Sequence, residues 1–86
     1  MILTGINENA LSKIQFYPNP VKDQFYIDNI QEESDYKLLN ISGALVESGS
    51  FIKGANSISM SNLESGIYFL QLQSKSNFRT IRIVKQ

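Results

Sequence analysis

Short runs in which apolar and polar residues alternate, each closed by a turn residue, fill the chain from Ser12 to its end. Ile, Val, Tyr and Phe dominate these runs, and turn signals recur about every eight to twelve residues, the signature of an all-β sandwich. No window sustains an apolar 3.6-residue period long enough to argue for a helix. The pattern predicts a first strand over Ser12–Tyr17, stopped by Pro18-Asn19-Pro20, whose rings remove two ladder donors. Asp23–Asp28 alternates cleanly, with Phe25 and Ile27 on one face and Gln24, Tyr26 and Asp28 on the other. A polar loop is expected over Asn29–Ser34, then a strand over Tyr36–Ile41 with Tyr36 and Leu38 facing inward.

Ser42-Gly43 predicts a tight hairpin turn, because glycine accepts the positive φ such turns require. The return strand spans Ala44–Phe51, and Gly49 within it suggests a bulge or bend near Ser48-Gly49-Ser50. Lys53-Gly54-Ala55 turns the chain into a short strand, Asn56–Met60, with Ile58 and Met60 inward. After a turn over Asn62–Gly66, the strongest strand, Gly66–Gln73, places Tyr68, Leu70 and Leu72 on one face. Ile67 and Phe69 occupy its other face, so the strand is expected to be central and covered on both sides. Ser74–Asn77 leads into the last strand, Phe78–Lys85. The predicted fold is all-β, an immunoglobulin-like sandwich of about seven antiparallel strands in two sheets. Residues 11–86 form this domain; residues 1–10, MILTGINENA, have no period and read as a linker or a junction with other sequence.

Composition sharpens the picture by exclusion. With 86 residues there is room for one domain, and its 42% hydrophobic content suits a thin core rather than a disordered tail. There is neither histidine nor cysteine, so Ser-His-Asp and Cys-His triads and the usual zinc sites are out. Glu32, Glu33 and Asp35 read as a solvated acidic loop without the spaced ligands of a calcium site. The glycines precede no helix that would cradle a phosphate. Asn40-Ile41-Ser42 matches a glycosylation sequon but falls at a hairpin, and it is discounted. The expectation is no enzyme, no cofactor and no metal. Eight basic and eight acidic residues cancel, which argues against a general nucleic-acid or membrane-surface role, and apolar runs far short of the ~20 residues of a membrane helix argue against direct membrane insertion. Their distribution is uneven: every charged residue after Glu64 is basic, namely Lys75, Arg79, Arg82 and Lys85. That pattern suits either protection of an edge strand or a docking stripe.

Three blocks carry a more specific signal. The first is Ile14-Gln15-Phe16-Tyr17-Pro18-Asn19-Pro20-Val21, followed by Asp23, Phe25 and Ile27. The second is Tyr36-Lys37-Leu38-Leu39-Asn40-Ile41-Ser42-Gly43, followed by Val46. The third is Leu63-Glu64-Ser65-Gly66-Ile67-Tyr68-Phe69-Leu70, with Thr80, Arg82, Ile83 and Lys85 after it. In this order they resemble the type A carboxy-terminal sorting domain, or Por secretion tail, of the type IX secretion system of Bacteroidota. The resemblance covers roughly residues 11–86 and implies a carboxy-terminal secretion signal. A cargo bearing an amino-terminal signal sequence would enter the periplasm, and the outer-membrane translocon would then read the tag. Cargo would reach the cell surface or the medium, and a signal peptidase of the cysteine-protease kind would remove the tag and could then join the cargo to an anionic lipopolysaccharide. The implied partners are that translocon, that peptidase and the fused cargo.

Each block also has a structural reading. Gly43, Leu63, Gly66 and Tyr68 are assigned to fold maintenance, through turns and core filling. Pro18 and Pro20 shape a corner in which Asn19 is expected to hydrogen-bond its own backbone. Pro18, Asn19, Pro20, Arg79, Arg82 and Lys85 are the candidate translocon contacts, although Arg82 should face opposite to Arg79 and Lys85. The competing reading is a generic adhesive or carbohydrate-binding sandwich. It would use exposed aromatics, for which Tyr17, Tyr26 and Phe51 are the scattered candidates.

Overall fold

The computed structural model describes residues 13–75 and 77–86. The expected linker over 1–10, and the first residue of the expected first strand, lie outside them. Among the described residues seven strands appear in chain order: β1 (Gln15–Tyr17), β2 (Gln24–Ile30), β3 (Ser34–Asn40), β4 (Leu45–Phe51), β5 (Gly54–Ser59), β6 (Gly66–Gln73) and β7 (Phe78–Lys85). They build a three-stranded sheet in the order β1-β2-β5 and a four-stranded sheet in the order β4-β3-β6-β7. All ladder pairs within the sheets are antiparallel. A parallel bridge, Val21 to Lys85, ties the segment after β1 to the far end of β7.

The inward positions follow the alternation. Phe25, Ile27, Leu38, Met60, Leu70, Leu72 and Ile83 are almost wholly withdrawn from solvent, with Tyr36, Ile58 and Tyr68 beside them. Burial of each large aliphatic or aromatic side chain contributes about 1.5–3 kcal/mol, which is the main force joining the sheets. Tyr68 adds a polar anchor, since its hydroxyl donates to the Glu64 carbonyl at 2.7 Å. This bond back to the preceding turn is the tyrosine corner of immunoglobulin-like sandwiches. Leu63, half-buried, packs against the same core.

Several local expectations change. β2 runs on through Asp28-Asn29-Ile30 instead of ending in a loop, by way of a register shift against β5 between Ile27 and Ile30. Asn29 takes a φ of 69° there, a left-handed conformation that asparagine tolerates better than most residues. The irregularity re-phases the strand, so Ile30 is buried only three positions after Ile27. In β4 the irregularity sits not at Gly49 but between the pairs Leu38–Glu47 and Leu39–Leu45, where Val46 is the extra residue. Gly49 lies in regular ladder opposite Tyr36, whose ring covers it. Phe51 is buried rather than exposed, its ring stacked on Tyr36 at 4.3 Å and 14°. β6 is central, between β3 and β7, but among the described residues no layer lies over its second face, and Ile67 and Phe69 are only half-buried.

The β3–β4 hairpin depends on Asn40 and Gly43. Gly43 has a φ of 89°, and its N–H donates to the Asn40 carbonyl at 2.9 Å. The Asn40 side-chain oxygen accepts from Ser42 N–H, the Ser42 hydroxyl and Ala44 N–H. That side chain is therefore committed to the turn, which leaves the sequon a local motif of the hairpin.

Tyr36 gives the fold an alkaline limit. Its hydroxyl donates to Glu47 at 2.5 Å. Burial first, and that bond second, push its pKa from 10.0 up to about 12. The fold favours the neutral phenol, so this stabilisation is complete below the free value and is lost as pH rises through the folded one. Tyr17, bonded to Asp28, shifts in the same direction. Through Tyr36 alone, denaturant unfolding should show stability falling by on the order of 2 kcal/mol between about pH 10 and 12. Tyr36→Phe should remove most of that slope; an equally steep decline in the variant would place its origin elsewhere.

Candidate recognition site at the proline corner

The first and third sequence blocks meet in space. Leaving β1, the chain crosses from the three-stranded to the four-stranded sheet through Pro18-Asn19-Pro20 and arrives beside β7. Both bonds into proline, Tyr17–Pro18 and Asn19–Pro20, are cis. Asn19 does not bond its own backbone. Its side-chain amide donates to the Arg82 carbonyl at 2.9 Å, and its side-chain oxygen accepts from Val84 N–H at 2.9 Å. The carboxamide thus presents one donor and one acceptor at the spacing of a neighbouring strand. Val21 continues the pairing: its N–H donates to the Val84 carbonyl, and its carbonyl accepts from Gln86 N–H, both at 2.8 Å. Four hydrogen bonds close the carboxy-terminal half of the β7 edge.

These bonds assign the asparagine a specific role. Asn19→Leu loses two hydrogen bonds worth about 1 kcal/mol each, and the melting temperature should fall by roughly 8–16 °C. Asn19→Asp keeps the acceptor for Val84 but turns a second oxygen toward the Arg82 carbonyl, so it should be no better than Leu at neutral pH. Thermal melts of both variants check this; an Asn19→Leu curve matching wild type would show that the seal contributes nothing.

The remaining candidates are distributed unevenly. Pro18 and Pro20 are exposed and, with Lys22, Tyr26 and Gln86, border an open groove of about 510 Å³. Arg82 is exposed on the outer face of its sheet. Arg79 points the other way, half-buried, with its guanidinium 5.2 Å from the centre of the Phe16 ring in the opposite sheet. Lys85 also points inward; it is only 8% exposed, and its ammonium donates to the Gln86 backbone oxygen at 2.8 Å. The three cations therefore share a strand without sharing a face.

Gly43 and Gly66, with φ of 89° and 151°, hold turns, and Leu63 and Tyr68 hold the core beneath them. Two features escaped the sequence reading. Val21 is completely buried and carries half of the seal. Tyr17 and Tyr26 are not scattered but cross-strand partners, stacked at 5.6 Å and 27° with both rings partly exposed. Their stacking helps hold the three-residue β1 onto β2.

A small immunoglobulin-like sandwich, its carboxy-terminal strand sealed by a proline corner, defines a compact β-module. Residues 15–86 match the family described as the secretion system C-terminal sorting domain, nearly the whole chain. The chain belongs to this family, whose members are the carboxy-terminal sorting signals of type IX secretion. As a sorting domain of this family it serves export to the cell surface or secretion. Among solved structures, the chain is similar to PorZ, an essential bacterial surface component of the type-IX secretion system of Porphyromonas gingivalis. The TM-score is 0.78 at 18% identity, over 90% of this chain and 12% of that one, a likeness of fold. No curated protein matches the sequence.

Proposed function

We propose that this chain is the address label of a larger exported protein and carries no catalysis of its own. In this reading the cargo precedes the domain, with the junction and the cleavage point within residues 1–10. The cargo crosses the inner membrane by an amino-terminal signal sequence and waits in the periplasm. The outer-membrane translocon then reads the folded sandwich, and a signal peptidase of the cysteine-protease kind removes it at the cell surface. The observation that carries this reading is that all three blocks fall in one folded unit matching the sorting-domain family over residues 15–86. Of the candidate contacts, exposed Pro18, Pro20 and Arg82 are the best placed to meet a partner directly. Asn19 serves it indirectly, by closing the strand that bears Arg82, whereas Lys85 is turned inward with its ammonium on the Gln86 backbone oxygen.

The test fuses residues 1–86 behind a signal-peptide-bearing fluorescent protein in a Bacteroidota host with a working type IX system. Fluorescence should appear on the surface or in the medium and be lost in a translocon-deficient strain. Retention in the periplasm of both strains would refute the reading.

A further inference from the structure

Edge strands offer unpaired backbone groups to any extended chain that can reach them, and proteins usually hide or blunt them. In β7 the outward groups can be assigned residue by residue. Arg82, Val84 and Gln86 face away from β6, since their backbone groups bond Asn19 and Val21. The β6–β7 register is unbroken from Gly66–Lys85 to Gln73–Phe78. Alternation therefore also turns the N–H and C=O of Phe78 and Thr80 outward, with the N–H of Arg82. Among the described residues, none of these five groups has a partner. The proline corner stops at Arg82, so the strand is sealed over one half and open over the other.

The open half is also the basic half. Lys75, Arg79 and Arg82 lie in or beside it, and no acidic residue follows Glu64. Arg79 and Arg82 project to opposite faces of the sheet, on either side of Thr80. A strand added here would have the side chains of its outer face meeting Arg82. Phe78, 61% exposed, supplies an apolar contact at the end of the same stretch. The second edge of this sheet, β4, differs in charge: its one charged residue is Glu47, which accepts from Tyr36.

We propose that the unsealed edge of β7, Phe78–Arg82, is a docking site at which an extended, acid-bearing strand of the export machinery adds to the four-stranded sheet. Main-chain hydrogen bonds supply the attachment, as in other cases of strand addition, and charge selects the partner. The basic edge repels a second copy of itself while attracting an acidic strand. This inference rests on the export reading above and names the surface it would use.

Proline substitution separates docking from folding. The Thr80 N–H makes no ladder bond, so Thr80→Pro removes an outward donor and blocks the edge while sparing the bonds to β6. Carrying the alternation across β6 and β3 makes Ser48 the outward residue on β4, and Ser48→Pro the matched control. In the reporter fusion, Thr80→Pro should cut export by about tenfold or more, and Ser48→Pro should leave it within about twofold. Thermal melts establish that both variants fold. Should Thr80→Pro unfold, Arg82→Glu decides instead: its exposed side chain makes reversal tolerable to the fold, and export should again drop by about tenfold. Normal export of folded Thr80→Pro, or of Arg82→Glu, overturns the inference while the wild-type tag still upholds the export reading. An equal loss in Ser48→Pro overturns it too. Sedimentation that finds a dimer abolished by Thr80→Pro would make the occupant a second copy and refute the acidic partner. Failure of the wild-type tag would sink both readings together.

Discussion

A tag truncated after Asn77 should leave its fused reporter in the periplasm and should no longer fold. The cut removes all of β7, including Ile81 and Ile83, which are buried in the core. Each loses a burial worth about 1.5–3 kcal/mol. It also removes the ladder to β6 along its whole length, from Gly66 to Gln73. The partners of Asn19 and Val21 go with it, so the proline corner has nothing to close. Losses of this size exceed the roughly 5 kcal/mol that holds a small domain together. Circular dichroism of the truncated tag should show no cooperative melt, and fractionation should find the reporter inside the cell. Export at the wild-type level would show that the signal lies in a linear segment before β7 rather than in the folded sandwich.

Parts of this architecture were legible in the sequence because alternation is a local property. Phe25 and Ile27, Tyr36 and Leu38, and Tyr68, Leu70 and Leu72 all face the core as their spacing demands. The bounds of β6 and β7 coincide with the expected ones, since Gly66 and the Ser74–Asn77 turn punctuate them clearly. The side of Lys85 was legible too: parity sets it opposite Arg82, on the face of Ile81 and Ile83. Its ammonium reaches the chain end while its stem is buried, a compromise that a long cationic side chain permits.

What stayed hidden depends on distant partners. Nothing near Asn19 announces that its carboxamide bonds a strand 63 to 65 residues later. Two flanking prolines suggest a rigid surface corner, and only the topology turns that corner into a strand seal. The continuation of β2 was masked because Asp28-Asn29 breaks the alternation and looks like the start of a loop. Asn29 supplies the left-handed residue that lets the strand resume at Ile30. For the candidate site, the sequence could list the cations but not distribute them. One is spread over an opposite-sheet ring, one faces solvent, and one is folded inward.

Gly49 shows the same limit and carries the second large effect. A glycine between serines reads as a bend, yet the ladder is regular there and the reason for glycine lies across the sheet. A Cβ at position 49 would sit 2.9 Å from Tyr36 Cε2, and 3.1 Å from its Cζ and hydroxyl oxygen. The ring has little freedom to retreat, because Phe51 stacks on it and Glu47 holds its hydroxyl. Gly49→Val should therefore destabilise by about 3 kcal/mol, at the upper end of overpacking costs. The melting temperature should drop by more than about 10 °C. Gly49→Ala should cost less, since a smaller intrusion is partly offset by the reduced freedom of the unfolded chain. The decisive comparison is a double-mutant cycle with Tyr36→Leu, which removes the ring. If the ring is the reason for glycine, the Gly49→Val penalty should shrink by more than half in that background. An undiminished penalty would mean that the β4 backbone itself, rather than Tyr36, demands glycine.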